Sequence, residues 1–306
     1  MSFRRPAAVR IDFKRRRTLG LQFRLFSRFR REIVESSGGG TSRPRSVRGA
    51  RRVLSGVMSG SREGGRGLEQ MRHVFVKTGV ISQASGSAYV EFDATKVMCG
   101  VYGPRQGGKT GTATNDRGRL DVDVKLATFA TPGARGKVGQ GDAELEFASL
   151  LHRALEGAVL LETFPKTSVD VYVTVLEAAG AELPAAVACA AAALAHAGVA
   201  MRDLVSACSV ARRPGTEKEG ARGGALLLDP TTAEERRADG AVTLAHMSRL
   251  GEATQVFATG SWDGDALDEA IQLAASGCAR VDQALREVLR AEAEEHAPAG
   301  SDGAGT

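Results

Sequence analysis

The sequence has few of the features that mark membrane, disulfide-rich or metal-binding proteins. In its 306 residues no apolar run approaches the roughly 18 residues that a membrane-spanning helix needs, so no membrane partner is expected. Its four cysteines, Cys99, Cys189, Cys208 and Cys278, lie far apart, which excludes a Cys-x-x-Cys metal or redox site. Each cysteine has apolar neighbours, and this predicts buried structural thiols in a reducing compartment, with no bound metal.

Acidic residues are nearly missing from the first part of the chain. Residues 1–57 carry 16 Lys and Arg against 3 Asp and Glu, a net charge of +13. Residues 58–306 carry 25 against 33, a net charge of −8. The formal net charge of +5 therefore hides a basic arm attached to an acidic body. With 42% hydrophobic residues over the whole chain, there are enough apolar side chains for a core.

The basic arm allows three interpretations. Many arginines and few acids are typical of organelle transit peptides. A cluster such as Lys14-Arg15-Arg16-Arg17 is also typical of nuclear import signals and of segments that bind RNA phosphates. The third interpretation is that translation starts at Met58. We expect residues 1–69 to be a low-complexity, disordered arm and residues 293–306 to be a disordered tail.

From His73 onward the hydrophobic pattern predicts strands and helices in alternation. The predicted strands have period-2 or clustered apolar residues between turn residues. They are 73–77, 87–92, 96–102, 120–126, 169–175, 204–210, 225–228, 241–247 and 255–259. The order of the elements predicts an α/β (α+β) sandwich, with mixed β-sheets and helices packed in a single domain over residues 70–292.

Three helices are predicted, and they differ in how much of their surface is apolar. The first begins at Asp142 as N-cap, is closed by Phe164-Pro165, and has one apolar face that is predicted to be buried. That face comprises Leu145, Ala148, Leu151, Leu155 and Val159. The second runs from Pro184 to Gly198 and is almost all alanine, which predicts burial on every side against a sheet. The third has an apolar stripe from Leu267 to Val288 that is suited to docking on a sheet.

A phosphate-binding loop is one candidate functional site. Residues 103–110 match the G-x-x-x-x-G-K-T pattern and follow a predicted strand. Nucleotide binding also needs a helix that begins at Lys109-Thr110, so that its N-terminal amides face the phosphates. Residues 111–118 are instead typical of a loop, which makes ATP or GTP hydrolysis a minor hypothesis. His152 and His196 lie beside apolar residues in predicted helices, and we assign them no chemistry.

A basic window inside the acidic body is a second candidate. Between residues 105 and 137, seven Lys and Arg stand against three Asp, and most of this window is predicted loop. Such a window is suited to contacts with a nucleic-acid backbone or to ion pairs with another subunit, and charge alone does not separate these roles. The residues considered for RNA contacts are Arg105, Arg117, Arg119, Arg135 and Lys137.

An ordered series of short segments resembles the RNase PH family. It begins with Gly79, 82–91 and 95–105, continues through 118–120, 164–166, 173–184 and 192–199, and reaches Leu228-Asp229-Pro230-Thr231. The resemblance covers about residues 70–290 and is specific because it is long and in order. It is strongest to the RNase PH-like subunits of the eukaryotic RNA exosome, in particular the Mtr-type (mRNA-transport-defective) subunits. It also places Lys109 in a variable loop of the family.

The resemblance implies a degenerate active site. Active family members are phosphorolytic 3′-to-5′ exoribonucleases that hold inorganic phosphate with an Asp-Gly-Gly-Thr-Arg type segment. Here the aligned segment is 179–183, and Glu182 and Leu183 stand at the phosphate-holding Thr and Arg positions. A carboxylate repels phosphate, and leucine cannot replace a guanidinium fork. Of two further acidic positions, Glu235 lies near one, and the other falls on Ala241 or, with a two-residue shift, on Asp239.

The resemblance therefore implies a catalytically silent subunit without a cofactor or catalytic residues. Its expected partners are other RNase PH-like exosome subunits in a hetero-hexameric ring, an RNA-binding cap subunit and single-stranded RNA that passes through the ring. The expected locations are the nucleus, the nucleolus and the cytoplasm. The alternative is an active phosphorolytic exoribonuclease that works as a homo-oligomer.

Overall fold

The first β-sheet carries most of the predicted strands. The computed structural model describes residues 62, 65–106, 117–131, 141–215 and 224–296, and all the strands and helices named below lie in the compact part that begins at Leu68. The first sheet has the spatial order β1-β2-β3-β5-β4, with β4 and β5 parallel and the other neighbours antiparallel. Its strands are β1 Val74–Thr78, β2 Gly86–Phe92, β3 Thr95–Gln106, β4 Arg119–Leu126 and β5 Thr167–Glu177.

The second β-sheet is fully antiparallel. Its order is β7-β6-β8-β9. Its strands are β6 Ser206–Arg212, β7 Leu226–Leu228, β8 Gly240–Met247 and β9 Glu252–Gly260. All nine predicted strands are thus present, and the bounds differ by a few residues. Mixed sheets packed with helices were predicted, and this architecture is confirmed.

Four α-helices connect and cover the sheets within the described residues. They are α1 Asp142–Glu156, α2 Glu182–His196, α3 Thr232–Arg237 and α4 Gly264–His296. The α4 helix packs on β6 and β8 and reaches β1, while α1 packs on β4. In the described part of the chain, none of these helices has both the length and the apolar character that a membrane crossing requires.

The α2 helix lies between the two sheets, as its alanine-rich sequence predicted. It contacts β2 and β3 on one side and β6 on the other, and the residues from Pro184 to Leu194 are all buried. Small side chains allow this close packing. At Gly86 in β2, a Cβ atom would lie 2.4 Å from the backbone oxygen of Ala193 and 2.4 Å from the backbone nitrogen of Ala197. A glycine is therefore required where β2 meets α2.

Three details of the first predicted helix were wrong. The N-cap of α1 is Gly141, and the helix already ends at Glu156, with Gly157 as its C-cap. Val159 therefore lies beyond the helix, where it forms a β-bridge with Met201. Leu145 is 53% exposed rather than buried. Its neighbour Glu144 turns toward the sheet and accepts the N–H of Leu126 at 2.8 Å, and adjacent helical residues point in different directions.

Candidate functional site

The segment aligned with the family's phosphate-binding residues is a strained turn that leads into α2. Gly180 has φ of 101° and Ala181 has φ of 52°, two consecutive positive values. A Cβ at Gly180 would lie 2.5 Å from the backbone nitrogen of Thr232, so glycine is required here. The Thr232 N–H donates to the carbonyl of Ala179 at 3.1 Å. The start of α3 therefore packs directly on this turn.

A buried ion pair fixes the same turn from its other side. The guanidinium of Arg72 donates to both carboxylate oxygens of Asp229, at 2.6 and 2.9 Å. It also donates to the carbonyl of Gly180 at 3.0 Å and to the hydroxyl of Thr95 at 3.1 Å. Burial alone would lower the pKa of Arg72, but the hydrogen bond and charge of Asp229 outweigh it and raise that pKa. Arg72 therefore holds the turn through the carbonyl group of Gly180 while Asp229 holds Arg72 in place.

The two residues predicted to mark a degenerate phosphate site occupy different environments. The Glu182 carboxylate accepts the N–H of Gly180 at 3.0 Å and lines a cavity of about 220 Å³. Leu183 instead packs against the hydrophobic core. The cavity is lined by Leu126, Thr131, Phe147, Val175, Ala178, Glu182, Thr232 and Arg236. It therefore combines apolar walls with one carboxylate, one guanidinium and two hydroxyls.

Glu235 contacts the same turn from α3. Its carboxylate accepts the N–H of Ala181 at 2.9 Å. Burial, helped by the nearby charge of Glu182, raises its pKa to about 7 against the lowering effect of that hydrogen bond. Of the two positions considered for a second acid, Ala241 lies within β8, opposite Thr259, and Asp239 is exposed just before that strand. Of the positions considered for the two further acids, Glu235 is thus the one that contacts the turn.

Sequence reasoning missed several residues that build the site. Arg72, Thr95 and Asp229 form the buried hydrogen-bond network, yet they are far apart in the sequence. Thr232 and Arg236 line the cavity from α3, a six-residue helix that was not predicted. The Thr232 Oγ1 atom is buried and has no hydrogen-bond partner among the described residues. The Thr231-x-x-Glu234 capping box was the available signal for α3.

The structure brings three of the five RNA-contact candidates to one end of the first sheet. Arg105 in β3 and Arg119 in β4 both lie opposite Ser168 of β5. Each of these three arginines forms an ion pair at the surface: Arg105 with Asp170, Arg117 with Glu162 at 3.1 Å, and Arg119 with Asp121 at 2.7 Å. Their charges are therefore largely balanced by carboxylates on the protein itself. Arg135 and Lys137 lie outside the described residues, and the RNA-contact role stays a prediction.

The proposed phosphate loop and the two helical histidines were the other candidates from the sequence. β3 extends to Gln106, so Gly103 and the next three residues of the proposed phosphate loop belong to a strand. Lys109 lies outside the described residues. His152 is 3.1 Å from the carbonyl of Leu120. His196 accepts the N–H of Ser87 at Nδ1, 3.2 Å away, and its Nε2 is 3.1 Å from Glu292. Both histidines thus take part in local hydrogen bonding.

The four cysteines are buried, as predicted. Burial raises the pKa of each thiol. In the described residues, no three His, Cys, Asp or Glu side chains come together in a way that could hold a metal ion.

Comparison with known proteins assigns the fold to one family. The profile of the 3′ exoribonuclease family matches over both of its domains, domain 1 at residues 70–200 and domain 2 at residues 203–277. Similar sequences include the exosome complex component RRP41-like of Arabidopsis thaliana, which is 41% identical over 233 residues, covering 76% of this chain and 86% of that protein. The human exosome complex component MTR3 is 39% identical over 240 residues, covering 74% and 85%.

Solved structures show the same fold. The crystal structure of rice (Oryza sativa) Rrp46 superposes with a TM-score of 0.63 at 24% identity, covering 74% of this chain and all of that one. An Archaeoglobus fulgidus exosome with RNA bound to the active site gives a TM-score of 0.60 at 23% identity, covering 73% and 92%.

Proposed function

The chain belongs to the 3′ exoribonuclease (RNase PH) family, and we propose that it is a non-catalytic subunit of an RNA exosome ring. In this role it joins other RNase PH-like subunits in a hetero-hexamer, contacts an RNA-binding cap subunit and lines part of the path of single-stranded RNA. It supports 3′-to-5′ RNA processing by nucleases elsewhere in the complex, in the nucleus, the nucleolus and the cytoplasm. The similarity to the RRP41-like and MTR3 exosome components supports this role.

One observation carries the non-catalytic part of the proposal. Glu182 lines the cavity at the start of α2, at the position where the family pattern has a phosphate-holding threonine. Leu183, at the position of the arginine, packs on the core and offers no donor. A carboxylate in the wall opposes an incoming phosphate, and the charge that develops during phosphoryl transfer loses its guanidinium partner. The binding of inorganic phosphate and the stabilisation of the phosphoryl-transfer transition state are therefore both weakened.

Two measurements test this proposal. Native mass spectrometry of the tagged protein, purified from its own cells, should find a large hetero-oligomer that contains related RNase PH-like chains and RNA-binding subunits. A monomer or homo-oligomer would contradict the ring role. Separately, the purified chain should release no nucleoside diphosphates from single-stranded RNA in the presence of inorganic phosphate.

A second candidate function rests on Arg236. This guanidinium lines the same cavity as Glu182 and forms no ion pair with any described residue, so it is a possible replacement for the lost arginine. Under this alternative the chain is an active phosphorolytic exoribonuclease. Phosphate-dependent release of nucleoside diphosphates that is lost in Arg236→Gln would establish the alternative, and the absence of release favours the silent subunit.

A further inference from the structure

Three side chains that line the cavity beside Glu182 have oxygen atoms with unused hydrogen-bonding capacity. The Glu182 carboxylate accepts the N–H of Gly180 at Oε1, and its Oε2 atom forms no hydrogen bond and no ion pair with any described residue. The Thr232 Oγ1 atom is buried and has no hydrogen-bond partner in the same ranges. The Thr131 hydroxyl also forms no hydrogen bond within the part of the chain that the structure describes. One cavity thus offers three free acceptors.

The rest of the cavity wall is mostly apolar. It comes from β4, α1, β5 and the segment after β5, through Leu126, Phe147, Val175 and Ala178. Arg236 completes the lining, but it is exposed in the last turn of α3, whereas Glu182 is half-buried and held by its hydrogen bond. Water screens an exposed charge more than a half-buried one. The cavity therefore favours a cation with an apolar stem.

The size of the cavity and the position of its carboxylate restrict the cation further. The volume is about 220 Å³, below the roughly 300–1,000 Å³ of sites that bind whole small molecules, so a single side chain suits it. A lysine has a methylene stem for the apolar wall and three N–H donors for the three oxygens. An arginine fork is best matched by both oxygens of a carboxylate, and Gly180 already occupies Oε1 of Glu182.

An exposed aromatic side chain lies on the turn that borders the cavity. Phe129 is 72% exposed, between Ala127 and Ala130. Ala127 donates its N–H to the carbonyl of Val175 at 2.9 Å. Ala130 accepts the N–H of Ala178 at 2.9 Å, so the turn is fixed to two residues of the cavity wall. A large apolar side chain beside a small cavity is typical of protein interfaces, in which one buried anchor is surrounded by weaker contacts.

We propose that this cavity is a docking site for a lysine side chain of a partner protein. The ammonium group binds Oε2 of Glu182 and the hydroxyls of Thr131 and Thr232, the stem packs on the apolar wall, and residues next to the lysine contact Phe129. The inference goes beyond the exosome role and does not depend on it, because it needs only the cavity and its charge. The bound group is opposite in charge to the phosphate of the family pattern.

The first experiment probes the cavity with n-butylammonium, which reproduces the lysine side chain. The full chain carries ¹³C in its Leu and Val methyl groups, and NMR follows the signals of Leu126 and Val175 during the titration. From ethylammonium to n-butylammonium, each added methylene should strengthen binding about fourfold. The uncharged n-butanol should bind about tenfold more weakly than n-butylammonium. Equal binding of n-butanol, or displacement of the amine by inorganic phosphate, would overturn the inference.

Glu182→Gln and Glu146→Gln form a matched pair of variants. Glutamine at position 182 keeps an oxygen for the N–H of Gly180 but removes the charge, so n-butylammonium should bind about tenfold more weakly. Glu146 is exposed on α1, beside Phe147 in the sequence, and does not line the cavity. Its variant should bind the amine like the wild type. Equal weakening in both variants would show a response to general negative charge and would refute the site.

Glu235 provides a second readout for the position of the amine. The charge of Glu182 helps to raise the pKa of Glu235 to about 7, while Arg72 lowers it and Asp229 raises it. An ammonium group next to Glu182 lowers the pKa of Glu235, so binding favours the ionised form. Affinity for n-butylammonium should therefore rise from pH 6 to pH 8 in the wild type and stay level in Glu235→Gln. A level profile in the wild type would place the amine away from Glu182.

The protein partner is tested by cross-linking in the complex purified from its own cells. A carbodiimide joins a carboxylate to a lysine amine that contacts it, with loss of water. Peptide mass spectrometry should find residue 182 linked to a lysine of another chain in the wild type and in Glu146→Gln, but not in Glu182→Gln. Phe129→Ser should reduce this cross-link severalfold and leave n-butylammonium binding by the isolated chain unchanged, because the ring contacts only the partner protein.

The docking inference and the proposed function can fail separately. A cross-link from residue 182 to a chain outside the RNase PH family, with no ring found by native mass spectrometry, would refute the exosome role and leave the docking site intact. The absence of any cross-link to another chain at residue 182, or a link only to a lysine of the same molecule, would overturn the docking inference. The ring role would stand if native mass spectrometry still showed the hetero-oligomer.

Discussion

Arg72 and Asp229, which are 157 residues apart in the sequence, form a buried bidentate ion pair. Their side chains are 3% and 2% exposed, and the backbone N–H of Arg72 also donates to Asp229 at 2.9 Å. Through Arg72 the pair reaches the carbonyl of Gly180 at the turn before α2. The pair therefore connects the segment before β1, the segment after β7 and the turn that leads into α2.

Breaking this pair should destabilise the fold strongly. Asp229→Asn leaves a buried guanidinium without its counter-charge, which typically costs about 3–5 kcal/mol. Urea denaturation should show this as a lower midpoint with an unchanged slope. The control is Asp170→Asn, which breaks the pair with Arg105, whose side chain is 57% exposed, and should cost less than about 1 kcal/mol. Similar losses in the two variants would contradict the structural role of the buried pair.

Glu235 should make stability depend on pH. Its pKa rises from the usual 4.5 to about 7 on folding, so the folded chain binds this proton more tightly than the unfolded chain. The stability that the protonated form contributes is complete below about pH 4.5 and is lost as the pH rises through 7. A rise from 4.5 to about 7 corresponds to a contribution of about 3 kcal/mol to the free energy of unfolding.

Glu235→Gln isolates this effect, because the amide oxygen can still accept the N–H of Ala181. The variant should match the wild type near pH 5 and be more stable at pH 8, as measured by urea midpoints at both values. Glu269→Gln, an exposed position on α4, is the control and should follow the wild type at both pH values. A Glu235→Gln midpoint that fell with the wild type between pH 5 and 8 would exclude Glu235 as the source.

Gly86→Ala should disrupt the packing between β2 and α2. The added Cβ would meet backbone atoms of α2 at 2.4 Å, and the backbone cannot move aside as a flexible side chain can. Overpacking of this kind costs about 1–3 kcal/mol. Gly264→Ala has no atom within 4 Å of the added Cβ and should change the melting temperature little. Equal melting temperatures for the two variants would show that the helix can shift to accept the methyl group.

Glu292 should hold the end of α4 against the rest of the fold. Its carboxylate accepts the hydroxyl of Thr78 and lies 3.1 Å from Nε2 of His196. Glu292→Ala should therefore speed amide hydrogen exchange in residues 289–296 and leave earlier turns of α4 protected. Glu295→Ala, at an exposed position, should leave exchange unchanged. Unchanged protection in Glu292→Ala would mean that packing alone fixes the helix end.

Local patterns predicted the elements of the fold, because strands and buried helices carry their periodicity in adjacent residues. The alternation from Leu120 to Leu126 and the alanine run of α2 are examples. The end of α1 was misplaced because Val159 continues the helical spacing beyond Gly157. Gly157 favoured a helix end at that point, whereas the apolar Val159 favoured continuation of the helix.

The candidate site was only partly predictable, because its main contacts join distant residues. The family pattern identified Glu182 and Leu183, but no local signal pairs Arg72 with Asp229. The candidate arginines were chosen by local charge. The structure shows that those with described positions have carboxylate partners: Asp170 on a neighbouring strand for Arg105, Glu162 for Arg117 and Asp121 on the same strand for Arg119. Net charge in a sequence window counts the residues, whereas the field at a surface depends on which of them are paired.

The burial of all four cysteines makes the native chain suitable for site-specific labelling. Cys99, Cys189, Cys208 and Cys278 are at most 1% exposed, and their thiols resist deprotonation at neutral pH. A maleimide dye should therefore leave the folded chain unmodified until it opens. A single cysteine introduced on the surface could then carry the dye without removal of the natural four, and their delayed reaction would report unfolding in the same sample.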